Sequence, residues 1–231
     1  MERLLESGLT ALGLPCDGIP ALMRYAEQLV EKNKVMNLTA ITDPAGIATL
    51  HFLDSAALLR LADFRGKNVA DVGTGAGFPG MPLRILEPTI RLTLLDSLNK
   101  RIDFLKEVCA DLGLEDVNCV HGRAEEFADD HREHFDIVTS RAVANLQLLS
   151  ELCLPLVKTG GYFLAMKAVD SDEELHAAQQ AIRTLGGQLE KLEDYTIPGT
   201  DVTHRLLFIK KVRETSKKYP RAFAKIKKNP L

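Results

Sequence analysis

No tryptophan occurs among the 231 residues, aromatic residues are scarce at 6%, and no apolar run approaches the length needed to span a bilayer. Met1 to Thr10 carries acidic residues and no long apolar centre, so it does not read as a signal peptide, and the expected setting is the cytoplasm with no membrane partner. Cysteine is sparse. Cys16, Cys109, Cys119 and Cys153 form no Cys-x-x-Cys pair and sit mostly inside apolar patterns, which speaks for reduced core residues and against a disulfide framework or a metal site. Internal repeats and low-complexity tracts are missing as well. With 45% hydrophobic residues the chain has enough for one α/β domain and an extension.

What is present centres on Asn68 to Gly80, Asn-Val-Ala-Asp-Val-Gly-Thr-Gly-Ala-Gly-Phe-Pro-Gly. Val69 to Val72 reads as a buried strand that stops at Gly73, Gly75 and Gly77, and Pro82 to Leu86 reads as a helix. A strand that turns on glycines into a helix lets a ligand approach the backbone closely and offers it unpaired N–H groups. The next strand, Arg91 to Asp96, ends in a carboxylate where an acidic residue should sit to accept both hydroxyls of an adenosine ribose. The glycines are spaced Gly-x-Gly-x-Gly and not Gly-x-Gly-x-x-Gly, and no phosphate loop ending in Gly-Lys-Ser/Thr follows. A ligand with a ribose but no pyrophosphate suits this corner, and S-adenosylmethionine meets that description.

Charge is unevenly distributed. The net charge is −3, but Arg205 to Leu231 holds ten Lys or Arg against the single acid Glu214, while residues 1–204 carry 19 basic and 31 acidic side chains, a balance of −12. An acidic body with a basic tail suits a protein that touches nucleic-acid phosphates; a solvated tail that aids solubility is the plainer alternative.

Along the chain, residues 1–65 read as a helical cap, 66–212 as the ligand-binding domain and 213–231 as a basic, non-periodic tail. Pro20 and Asp43-Pro44 each open a helical pattern, and Asn37 and Thr39 between them read as helix-stop and capping residues. His51 and Asp54 lie three apart, on one helix face, where a structural hydrogen bond is the ordinary reading. A helix from Ser97 shows Lys100 and Arg101 on its solvated side. After a short third strand, Ala124 and Glu125 fall where a doubly wound sheet brings a loop beside the ligand's base, although Glu125 is also a normal first-turn acid. Phe135 to Thr139 is a fourth strand with Arg141 at its carboxyl end, across the switch point from the first strand and free to grip a carboxylate or phosphate with its two-pronged guanidinium. Tyr162 to Lys167 is a fifth strand, Ser171 with Glu174 spells a capping box, and Leu189 to Ile197 with Arg205 to Val212 suits an antiparallel pair at one edge.

Several motifs combine here: Asn-Leu-Thr-Ala-Ile at 37 to 41, His-Phe-Leu-Asp-Ser at 51 to 55, and the glycine turn at 71 to 80. They are joined by Leu-Leu-Asp-Ser-Leu-Asn-Lys-Arg at 94 to 101, Ser-Arg-Ala-Val-Ala at 140 to 144 and Lys-Lys-Tyr-Pro-Arg at 217 to 221. In this combination the chain closely resembles the bacterial small-subunit ribosomal RNA methyltransferase G family, also called glucose-inhibited division protein B. The resemblance implies an α/β, Rossmann-like class I methyltransferase with a mainly parallel seven-stranded sheet, helices on both faces and an N-terminal helical extension. It implies S-adenosylmethionine as cofactor and transfer of its methyl to N7 of a guanine in 16S ribosomal RNA, by a monomer working on that RNA or on the small ribosomal subunit. It places cofactor contacts at Gly73, Phe78, Ala124, Glu125 and Arg141, beside Gly75, Gly77 and Asp96, and RNA contacts at His51, Lys100, Arg101, Arg123, Lys167, Lys217, Lys218 and Arg221. Three departures bear on RNA docking: Lys32 precedes Asn33 where the family often has Trp, Leu50 stands at a commonly basic position, and Ala224 and Ile226 follow Tyr-Pro-Arg where Gly and Pro are usual.

Guanine N7 carries an exposed lone pair and needs no deprotonation, so positioning is expected to dominate and no dedicated base is required. The chain lacks the Asn-Pro-Pro-Tyr/Phe used on exocyclic amines, and its only Pro-Cys pair, Pro15-Cys16, is far from the fourth strand. Arg141→Ala is expected to abolish most activity with the fold intact, and removal of residues 213–231 to weaken RNA binding. A methyltransferase of another substrate, a non-enzymatic ribosome-assembly factor and, with its pyrophosphate turn missing, a nicotinamide-dependent oxidoreductase stand as alternatives.

Overall fold

Parallel strands covered on both faces must be apolar almost throughout, and the runs Asn68–Val72 (β1) and Arg91–Asp96 (β2) are buried at every position but the first. The computed structural model describes residues 1–141 and 144–231; Ala142 and Val143 of the Ser-Arg-Ala-Val-Ala motif lie outside the described residues. The remaining strands are Val117–His121 (β3), Phe135–Arg141 (β4), Val157–Ala168 (β5), Gly187–Thr196 (β6) and Thr203–Lys211 (β7). They form a seven-stranded sheet in the order β3-β2-β1-β4-β5-β7-β6, parallel from β3 to β5, with β7 antiparallel to both β5 and β6. The order reverses between β1 and β4, and in such sheets the crevice at their carboxyl ends is where ligands bind.

Alternate strand residues face two cores. On one side Val69, Leu92, Leu94 and Phe208 pack under α1 (Glu2–Ala11), α2 (Ile19–Met36), α3 (Pro44–Gly46), α4 (Asp54–Leu61), α5 (Gly80–Leu86) and α6 (Asn99–Leu112). The buried stripe of α2, Leu22, Tyr25, Ala26 and Leu29, recurs every three or four residues, the spacing that keeps one helix face toward the core. On the other side Val72, Val138 and Phe163 pack under α7 (Ala124–Asp130), α8 (Leu146–Cys153), α9 (Asp172–Thr184) and α10 (Phe223–Lys228).

Four local expectations need correction. The helix read from Pro44 onward is interrupted by a π-helical segment, Ile47–Leu53, before α4. The helix expected at Ser97 begins at Asn99, because Asp96 Oδ1 accepts the Leu98 N–H (2.9 Å) and holds residues 96–98 in a turn. Ser171 and Glu174 do not form their capping box: Glu174 reaches instead to the Leu146 N–H and to Lys167, and Ser171 Oγ is buried without a partner among the described residues. The tail is not loose. Tyr219 and Ile226 are buried in the second core, Arg132 Nη2 donates to the carbonyls of Thr215, Ser216 and Tyr219 (3.1, 2.9 and 2.7 Å), and residues 223–228 are helical. Burying a side chain the size of Ile226 contributes about 1.5–3 kcal/mol, enough to hold a short segment down.

Candidate active site

The glycine turn follows directly from β1. Gly73 (φ 70°) and Gly75 (φ 61°) take the left-handed conformation, and the Gly73 and Thr74 N–H groups bond the Leu95 carbonyl (2.8 and 3.1 Å), tying the turn to β2. A Cβ at Gly75 would meet nothing nearer than the Gly73 carbonyl at 4.0 Å, so the turn leaves an open floor. Gly77 does something else. A Cβ there would strike the Tyr25 hydroxyl, Met81 and Leu105, so its lack of a side chain admits Tyr25, which donates to the Ala76 carbonyl and fastens α2 to the turn. At Gly77 the missing side chain thus serves packing between α2 and the turn.

Asp96, at the end of β2, is 4% exposed, and its Oδ2 accepts from the Gly75 N–H (2.9 Å) and from Arg101 Nη1 (3.2 Å). A cavity of about 410 Å³ opens over this floor, lined by Gly73, Gly75, Asp96 and Arg101 together with Thr39, His51, Phe78 and Arg141. The Gly122 N–H bonds the Asp96 carbonyl (3.1 Å), laying the loop after β3 beside this carboxylate; Ala124 and Glu125 begin α7 there and flank the cavity instead of lining it. A larger cavity, about 620 Å³, lies at the opposite ends of the strands among Lys67, Asp136, Lys158 and Tyr162, away from the turn.

Arg141 is not the free fork expected from the sequence. Its Nη1 donates to Asp54 Oδ2 and the Leu50 carbonyl (both 2.9 Å), and its Nη2 to His51 Nδ1 (3.0 Å). His51 and Asp54 thus meet through the guanidinium. The other Asp54 oxygen accepts from Tyr195 Oη and His204 Nδ1, both at 2.8 Å. Burial pushes the Asp54 carboxyl up, but the His204 hydrogen bond, the Arg141 charge and Tyr195 together hold it below its ordinary value. The Asp54 hydrogen bond in turn raises His204. His51 goes the other way: burial, then the Arg141 charge, lowers it to about 4, so it is neutral near pH 7. Its ring stacks on Phe78 (centroids 4.3 Å apart), and Arg141 lies 5.1 Å from the centre of the same ring.

The predicted RNA contacts separate into two groups. His51 is buried, Lys167 Nζ is held by Glu174 (2.6 Å) and the Ala144 carbonyl (2.8 Å), and Arg221 grips the fully buried Glu151 through Nε, Nη2 and its own backbone N–H (2.8, 2.6 and 2.9 Å). Each of these three is tied into the protein by its own bonds, and His51 also lines the cavity. Lys100, Arg123, Lys217 and Lys218 are exposed, and Arg101 stands at the cavity wall. Of the ten cations from Arg205 onward, Arg205, Lys210, Lys211, Arg213 and Arg221 bond groups of the protein, with Lys211 wholly buried on the Leu154 and Val157 carbonyls. Lys217, Lys218, Lys225, Lys227 and Lys228 remain exposed. Sequence reasoning did not anticipate Thr39, Tyr195 or His204 at the site; the Asn-Leu-Thr segment beside Asn33 was the one available signal, since Asn33 pins Leu38 and Thr39 through their N–H groups (2.6 and 2.9 Å).

These residues fit S-adenosylmethionine. A glycine floor that no side chain fills, a buried carboxylate at the end of β2 and a cavity of small-molecule size match an adenosine with a short charged tail. Among the described residues no group of three or more His, Cys, Asp or Glu is placed to hold a metal ion, and no helix is long and apolar enough to cross a membrane.

Comparison with known proteins agrees. The family model described as "GidB: rRNA small subunit methyltransferase G" matches residues 18–203. The chain is 47% identical to the ribosomal RNA small subunit methyltransferase G of Alkaliphilus metalliredigens over 100% of this chain and 98% of that one. It is 49% identical to the protein of the same name from Clostridium botulinum (strain Loch Maree / Type A3), over 90% and 88%. Among solved structures, a SAM dependent methyltransferase from Aquifex aeolicus shares the fold, with a TM-score of 0.54 and 16% identity over 75% of this chain and 96% of that one. The chain belongs to the small-subunit ribosomal RNA methyltransferase G family, whose members depend on S-adenosylmethionine.

Proposed function

We propose that this protein, a cytoplasmic monomer, transfers the methyl group of S-adenosylmethionine to N7 of a guanine in the 16S ribosomal RNA of the small subunit. The observation that carries the choice of atom is the state of the bases around the cavity. His51 is neutral, its Nδ1 lone pair held by Arg141 and its Nε2 against Thr39, so it is not free to take a proton from an attacking group. A nucleophile with a ready lone pair suits such a site, and guanine N7 is one. When bound, S-adenosylmethionine supplies a methyl on a cationic sulfur: the N7 lone pair forms the new N–C bond, the C–S pair returns to sulfur, and the positive charge passes to the purine. The chain's own part is positioning. Asp96 would hold the ribose of the bound cofactor, the Gly73–Gly75 backbone would lie against it, and Phe78, stacked with His51 and Tyr25, would form an apolar wall at the reacting end. Orientation of two bound reactants supplies roughly 7–11 kcal/mol of a barrier, which makes a site without a base adequate. Four free cysteines suit a reducing compartment.

Labelled S-adenosylmethionine incubated with ribosomal RNA or small subunits from a strain lacking this gene should yield 7-methylguanosine in the small-subunit RNA. Cofactor binding without transfer to either substrate would favour an assembly factor. The exposed tail lysines support the RNA partner. Deleting residues 213–231 would strip Tyr219 and Ile226 from the core, so the cleaner test replaces Lys217, Lys218, Lys225, Lys227 and Lys228 with Gln. Folding stability should change by less than about 0.5 kcal/mol per site, while RNA affinity falls and its log–log salt slope flattens by about 0.7–0.9 for each phosphate that a lysine no longer neutralises. An unchanged slope would remove the tail from the RNA surface.

A further inference from the structure

Thr39 Oγ1 stands 2.8 Å from His51 Nε2 and accepts the Ile41 N–H at 3.0 Å. Which of the first pair donates is fixed one step away. Arg141 Nη2 can only donate, so His51 Nδ1 must present its lone pair, and a neutral ring then carries its proton on Nε2, facing Thr39. Burial and the Arg141 charge keep the ring from taking a second proton near neutral pH. The Thr39 oxygen therefore accepts twice, and the valence left to it is its own proton. Its place is equally constrained, because Asn33 accepts from the Leu38 and Thr39 N–H groups and donates to the Thr39 carbonyl (2.6, 2.9 and 2.9 Å). Thr39 lines the same cavity as Phe78, Arg141 and Asp96.

A hydroxyl is ordinarily ambivalent, able to rotate and serve a donor or an acceptor. One whose lone pairs are both filled can only donate. The edge of a purine that carries N7 presents an acceptor beside it in guanine, O6, and a donor in adenine, the N6 amino group. We propose that Thr39 selects guanine, its Oγ1–H donating to O6 so that N7 of the same base faces the methyl group, and that the chain Arg141–His51–Thr39 exists to keep this hydroxyl a donor. The inference rests on the reading of the site as a guanine N7 methyltransferase and adds the residue that excludes adenine.

The test is a cycle between residue and base. Once the modified guanine has been mapped, small-subunit RNA carrying 2-aminopurine there, which keeps N7 and lacks O6, is compared with native RNA for wild type, Thr39→Val and Thr39→Ser. Wild type should lose about 10- to 100-fold in kcat/KM on 2-aminopurine. Thr39→Val should lose a similar factor on guanine and show no further loss on 2-aminopurine, whereas Thr39→Ser should behave as wild type. Two readouts are independent of turnover: calorimetric cofactor affinity of Thr39→Val should stay within about 2-fold of wild type, and ¹⁵N NMR should find His51 protonated on Nε2 alone. Equal penalties for 2-aminopurine in wild type and Thr39→Val would overturn the proposal. So would an Nδ1-protonated ring, or a cofactor affinity that falls as far as turnover does, which would place the hydroxyl on the cofactor's carboxylate. Wild-type protein that moves no methyl to guanine would overturn the underlying function itself, a result visible before any variant is made.

Discussion

Asp54 and Asp71 are both fully buried, both flank the cavity region, and they have opposite fates. Asp54 faces Arg141, His204 and Tyr195, and its carboxyl lies below the ordinary range. Asp71 has one oxygen holding the Thr74 hydroxyl (2.7 Å) and the Gly80 N–H (2.9 Å), while its other oxygen has no partner among the described residues, and burial pushes it up to about 6 against those bonds. Burial alone does not decide the charge of a carboxylate. What decides it is whether a cation and enough donors are aimed at both oxygens. Asp54 is the charged centre of a network, and Asp71 is a brace that holds the two ends of the glycine turn together.

The contrast is broken most severely at its centre. Asp54→Ala leaves Arg141 buried without its carboxylate and should cost about 3–5 kcal/mol in a urea denaturation series. Arg141→Ala should come next, near ~3 kcal/mol, since His204 and Tyr195 still face Asp54. The expectation of an inactive but intact Arg141→Ala protein is thereby corrected: loss of turnover in that variant should come with a lower melting temperature, and a wild-type melt would mean that the ion pair contributes nothing to the fold. Asp71→Asn should change stability by no more than about 1 kcal/mol at pH 4, where the folded Asp71 carboxyl is itself neutral, because Asn can still accept from Thr74 and Gly80.

The pH dependence sharpens the same comparison. A carboxyl raised on folding keeps its proton where the unfolded chain has lost it, so Asp71 makes the protein less stable as pH rises from about 4 to about 6. Asp54, lowered on folding, contributes stability that is present above the unfolded value and lost only as pH falls through its folded value. Subtracting the Asp71→Asn stability profile from that of wild type should isolate the first slope, and a flat difference between pH 4 and 6 would show that Asp71 titrates normally.

The glycine turn and Asp96 were legible in the sequence because their signals are local: an apolar run, a glycine spacing, and a carboxylate one strand later. Arg141 was legible as a position but not by its partners. Asp54 lies 87 residues away from it, and Asp54 in turn meets Tyr195 and His204 at separations of 141 and 150 residues. No periodicity encodes such a meeting; it exists only once β6 and β7 have closed the sheet edge. Ser171 and Glu174 have the spacing of a capping box, yet Lys167 on the neighbouring strand draws the carboxylate away. The tail escapes sequence reasoning for a related reason, since a strap fastened at Tyr219, Arg221 and Ile226 repeats no regular pattern.

That strap has a consequence for how its lysines meet a partner. A cation on a loose segment surrenders conformational freedom when it settles on a phosphate, at about 0.5–1.5 kcal/mol for a long side chain and more when backbone must be ordered with it. Here the backbone around Lys217 and Lys218 is already immobilised by Arg132 and by the grip of Arg221 on Glu151. Most of the entropy that binding would have removed is gone before the RNA arrives. Glu151→Gln, a change deep in the core that removes no positive charge, should therefore weaken RNA binding while leaving the number of ions displaced from the RNA unchanged.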